Sequence, residues 1–223
     1  MTAPATTPDL TALAAGFSNE SLGSHAVFRA VLQALSHPGR VVEVLHDAQH
    51  PPVGSAAGAA ALLALLDSDC TVWLSPALMA GGAGQWLRFH TGCALVADAA
   101  VARFVWLAQG DEMPPLAMLA QGSDIYPDQS ATCVIDVQGI RTPADAPASG
   151  WTLRGPGIQG TTTLQVQGLP TDFEDQWAAN QGVFPCGVDV LLCAGHQVVG
   201  LPRTTHLSAP PLQPSAAEHE ACM

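Results

Sequence analysis

Apolar residues recur at three- and four-residue steps through Val27, Phe28, Val31, Leu32 and Leu35, and Pro38-Gly39 ends the run. This spacing predicts an amphipathic helix, with Ser24 placed to cap it. Further helices are expected over residues 55–66, an alanine-rich run, over 116–120 and over 173–181. Short β-branched or apolar runs predict strands at 40–45, 70–74, 86–90, 104–107, 132–137, 152–153, 162–166, 188–193 and 198–201. Helices and strands interleave, which is the pattern of an α/β fold with a mixed β-sheet flanked by helices. The boundaries read as a flexible start over 1–17, one α/β domain over 18–207 and a disordered tail over 208–223. Residues 142–150, rich in Pro and Ala, are the expected long surface loop.

Composition narrows the partners. Of the 223 residues only 12% are charged, with a net charge of -12. That balance argues against a nucleic-acid backbone or an anionic membrane as the main partner. So few charges on so long a chain point to a large protein interface. The start carries no basic, apolar signal pattern, and no run approaches the ~18 apolar residues of a spanning helix, so a cytoplasmic location is expected. The six cysteines, at 70, 93, 133, 186, 193 and 222, have no close pairing. They read as reduced, mostly buried hydrophobes, with no iron-sulfur or other metal-ligand pattern.

Several chemical-looking motifs fail on context. Gly155 to Gly160 fits a dinucleotide fingerprint, yet Thr161-Thr162-Thr163-Leu164 behind it is strand-like where the fingerprint requires a helix. His46 and His50 stand four apart, but Pro51-Pro52 blocks a zinc-binding helix, leaving a polar surface turn. No lysine occurs anywhere, so neither a pyridoxal Schiff base nor a P-loop lysine is available, and no resident cofactor is expected.

Arginine is then the sole permanently charged cation, and three of the seven copies sit in Gly- or Pro-framed turns: Pro38-Gly39-Arg40, Arg154-Gly155-Pro156-Gly157 and Pro202-Arg203-Thr204. Such a turn holds a planar fork that binds a phosphate or phosphonate, with the amides of Gly155 and Gly157 free to approach closely. The opposing reading pairs each arginine with an acid such as Asp189 or Asp67 to lock two turns. Arg40 either joins a ligand site or simply starts a strand, and His90 is either a base or a strand-end hydrogen-bonding residue. Asp189 heads an apolar strand, where an acid calls for an ion-pair partner. The five tryptophans are core or interface anchors.

Taken in order, Phe28-Arg29, Ser36-His37-Pro38-Gly39-Arg40, Leu65-Leu66-Asp67-Ser68-Asp69, Phe89-His90-Thr91-Gly92, Gly122 with Tyr126-Pro127, Gly155-Pro156-Gly157-Ile158, Pro185-Cys186-Gly187-Val188-Asp189 and Pro202-Arg203-Thr204 resemble the PhnH family. Members of this family are components of the bacterial carbon-phosphorus lyase core complex. The resemblance implies a fold similar to the large domain of pyridoxal-dependent transferases without the cofactor. It implies assembly with partners of the G, I, J, K and L types, and a homodimer when isolated. It also implies an accessory, non-catalytic role in forming ribose 1-methylphosphonate 5-triphosphate from ATP and methylphosphonate. The alternative is a component whose own nucleotide or phosphonate site, built on Arg154, Arg203 and His90, contributes to the transfer.

Overall fold

The computed structural model describes residues 13–142 and 150–208. The expectations for the tail past residue 208, for Cys222, for residues 1–12 and for the loop at 143–149 therefore lie outside the described residues.

The first helix, α1 (Glu20–Ser36), starts a turn earlier than expected. Asn19, not Ser24, is the cap, and its side chain accepts from Leu22 N. An extended β1 (Val42–Glu43) leads to α2 (Ala56–Leu65), capped by Ser55. Seven of the ten α2 residues are buried, because alanine and glycine side chains let its neighbours approach from every direction. β2 (Thr71–Leu74) is followed by α3 (Pro76–Ala80) and α4 (Ala83–Thr91).

α4 corrects the strand expected at 86–90. Ala83, Trp86 and Leu87 bury one face at helical spacing, and Gly92 at φ 74° closes the helix by bonding back to Arg88. The expected helix at 116–120 is only a 3-10 turn at Leu116–Met118. The other strands are β3 (Ala94–Leu95), β4 (Phe104–Leu107), β5 (Thr132–Asp136), β6 (Gly139–Arg141), β7 (Trp151–Arg154), β8 (Thr162–Gln167), β9 (Asp189–Ala194), β10 (Gln197–Leu201) and β11 (His206–Ser208), with α5 (Phe173–Gly182) between β8 and β9. Sequence pattern does not predict β3, β6, β11 or α3. These three strands span only two or three residues each, too few for a periodicity.

The main sheet has seven strands in the order β1-β10-β9-β5-β4-β2-β3. β9, β5, β4, β2 and β3 run parallel, while β10 pairs antiparallel with β9 and β1 antiparallel with β10 at one edge, so the sheet is mixed as expected. A four-stranded antiparallel sheet, β11-β7-β8-β6, lies apart from it. Side chains on β9 alternate between two cores: Leu191 and Cys193 join α1, α2 and α4, while Val190 and Leu192 join α5 and the small sheet. Gly200 on β10 has no room for a Cβ, which would lie 2.7 Å from the backbone of α1 at Ala34, so helix and strand touch directly there.

Leu13, Ala14 and Phe17, expected in a flexible start, pack against the helical core. Trp86, Trp106 and Trp177 are fully buried and belong to the core. Cys93, Cys133 and Cys193 are buried, and every cysteine among the described residues is free.

Candidate functional site

Asp189 opens β9, and β10 runs back antiparallel with Leu201 opposite Val190. The turn after β10 therefore returns Arg203 to the start of β9. There the Arg203 Nη2 donates to Asp189 Oδ2 at 2.6 Å and its Nε to Oδ1 at 3.2 Å, while the backbone N–H of Arg203 reaches the same Oδ1 at 2.8 Å. The remaining guanidinium donors meet Ser130 Oγ at 2.5 Å, Pro127 O at 2.9 Å and Pro185 O at 3.3 Å. All five guanidinium N–H groups are thus used. Asp189 has the ion-pair partner expected of it, the only salt bridge among the described residues, and Arg203 presents no free fork to a phosphate in this arrangement.

The other two arginine turns meet in one seam. Gly157, at φ 82°, passes so close to the end of α1 that a Cβ would lie 2.1 Å from Ser36 O, and a Cβ on Gly155 would lie 2.8 Å from Thr204 O. These glycines join the 36–40, 154–158 and 203–205 turns backbone to backbone. Thr205 is buried, and its carbonyl accepts from Trp177 Nε1 at 2.9 Å and from Gln181 Nε2. Thr204 contributes its carbonyl to the Gly155 contact. Arg40 and Arg154 flank the seam, exposed and without an ion pair among the described residues.

His90 lies elsewhere. It sits in the last turn of α4, where its Nε2 faces Ala14 O at 3.0 Å and its ring packs edge-on against Trp86 and Phe89. α4 belongs to the core on one face of the main sheet, whereas Trp177 and Leu153, beneath the arginine seam, belong to the core on the other. His90 is a helical residue fastening the N-terminal segment, not a strand-end residue, and is not gathered with the arginines.

Sequence reasoning missed the other polar centre. Asp136 ends β5, nearly buried, and accepts from Ser55 N at 3.0 Å, Ser55 Oγ at 2.5 Å and Trp106 Nε1 at 3.0 Å. Burial pushes its carboxyl up to about 6 against the opposing pull of these donors. Two open cavities of about 630 and 450 Å³ meet over Asp136 and Ala108 at the carboxyl ends of the parallel strands, the end where ligands enter open α/β sheets. His50 and His196 line the smaller one. The His46 ring lies 5.4 Å from that of His196, and burial, reinforced by that neighbour, lowers its pKa. Both His46 ring nitrogens are buried against the backbone of Ala48 and Ala56, so the expected polar turn is partly folded inward. The available signal was an acid closing the apolar run Thr132-Cys133-Val134-Ile135.

Residues 15–208 match the model of the family described as bacterial phosphonate metabolism protein, PhnH. The chain is 38% identical over 192 residues to the alpha-D-ribose 1-methylphosphonate 5-triphosphate synthase subunit PhnH of Rhizobium meliloti (strain 1021), covering 86% of this chain and 93% of that one. It is 36% identical over 184 residues to HtxG of Stutzerimonas stutzeri, described as a putative C-P lyase subunit protein, covering 81% and 84%.

Proposed function

The chain belongs to the PhnH family of bacterial phosphonate metabolism proteins, and on that premise we propose that it serves as an accessory subunit of a carbon-phosphorus lyase complex. Its work is assembly: it supports formation of ribose 1-methylphosphonate 5-triphosphate by partners of the G, I, J, K and L types, in the cytoplasm, and pairs with itself when isolated. No resident cofactor enters this reading. Among the described residues no helix is long and apolar enough to cross a membrane.

The observation that carries the assembly reading is the saturated Arg203 guanidinium. The arginine best framed for binding an oxyanion spends its donors on Asp189 and on three other loop positions. A second reading, direct nucleotide or phosphonate binding, is favoured only at Arg40 and Arg154, which stand exposed beside the glycine seam. A pull-down of the tagged protein from phosphate-starved cells supplied with a phosphonate tests the proposal. Co-purification of the other subunits in fixed ratio is the expected result. Assembly kept in an Arg40→Ala/Arg154→Ala variant with turnover lost would move the reading to the second.

A further inference from the structure

Family-signature residues that look unrelated in sequence converge on the Arg203 clamp. Gly122 packs on Tyr126 and Pro127, with its Cβ position 2.8 Å from Pro127 O, and Gly187 N donates to Gln121 O at 2.9 Å. Cys186 Sγ approaches Asp124 at 3.7 Å, and the guanidinium bonds the carbonyls of Pro127 and Pro185 together. Two loops, 121–130 and 183–187, are therefore tied to each other and to the start of β9.

What these fixed loops present is apolar. Ile125 is 78% exposed, Phe184 63%, Tyr126 55% and Val183 47%. Large apolar side chains held in place before contact lose little ordering entropy on binding, which is the character of an interface anchor. The rim is acidic: Asp124 and Asp128 are exposed, the two loops contain no Arg, Lys or His, and the Arg203 guanidinium that ties them is fully engaged.

We infer that the clamped loop pair is the docking surface for a non-identical subunit of the complex, one offering an apolar face rimmed with Lys or Arg. This rests on the subunit reading above. A second copy of the chain is disfavoured as occupant, because a twofold contact through this patch would set Asp124 and Asp128 against their own copies with no cation in either loop to offset them.

The test is co-expression of the full chain with the other lyase subunits and affinity purification, comparing wild type with Ile125→Asp/Phe184→Asp and with Asp124→Arg/Asp128→Arg. Both substitution pairs lie on exposed side chains, and thermal melting of each isolated variant checks its fold. At least a tenfold loss of one co-purifying subunit is expected for both pairs, with melting unchanged. Assembly at the wild-type level in the folded apolar variant overturns the surface alone. A wild-type chain that captures no subunit overturns the subunit reading and the surface with it. A variant that assembles normally but loses only self-association, seen by sedimentation of the isolated chain, assigns the patch to a second copy and overturns the hetero-subunit proposal.

Discussion

The two ends of β5 solve the same problem by different means. At its start, where Thr132 pairs with Asp189, a buried-edge carboxylate receives a full counter-charge from Arg203. At its end, Asp136 receives only neutral donors, from Ser55 and Trp106, and its carboxyl rises to about 6. The first arrangement fixes loops and leaves no donor spare. The second fixes a helix cap and leaves a titrating group beside a cavity. A charge-balanced lock serves architecture, whereas an acid whose hydrogen bonds all come from neutral donors keeps the capacity to change its charge.

The strongest test of this contrast is removal of the counter-charge. Arg203→Ala strands Asp189 and two loop carbonyls and should cost about 3–5 kcal/mol in urea unfolding. Arg203→Lys should recover only part of this, because an ammonium cannot span the same acceptors. A loss below about 1 kcal/mol for Arg203→Ala, the level of an exposed pair, would show that the clamp is not structural.

The Asp136 end should respond to pH. Its folded value of about 6 lies above the ordinary 3.8, so the folded state holds the proton more tightly. The contribution is fully present below about pH 4 and is lost as pH rises through 6, by up to about 3 kcal/mol. Stability measured across this range should therefore fall relative to Asp136→Asn, and parallel curves would refute the shift.

Gly157→Ala forces a Cβ toward Ser36 O at a left-handed φ and should cost at least about 2 kcal/mol, measurable as a drop in Tm. Ser55→Ala removes the α2 cap and one bond to Asp136, for about 1–2 kcal/mol by the same assay. The smallest effect is expected at His90→Ala, about 1 kcal/mol, with faster amide exchange confined to residues 13–17.

Strands such as β4 and β5 are legible because short apolar, β-branched runs bounded by turn residues admit few alternatives. α4 is not, since Trp86-Leu87-Arg88-Phe89-His90 alone fits a strand until its preceding Ala83 is seen to share the buried face. The clamp is half legible: an acid at the head of an apolar strand demands a cation, and Asp189 stands in that position. Choosing Arg203 from among seven required the β9-β10 hairpin register.

Local periodicity, ordered motifs and composition are enough to read the α/β class, the family and the exclusion of lysine chemistry. It takes the folded chain to see that Arg203 is consumed, that Gly155 and Gly157 serve close backbone approach, that His90 sits on the far face, and that Asp136 lies at the mouth of a crevice. Each of those depends on which distant segments the sheet brings within hydrogen-bonding distance. A bond of 3.0 Å between residues 81 positions apart, as between Ser55 and Asp136, leaves no mark on either local sequence.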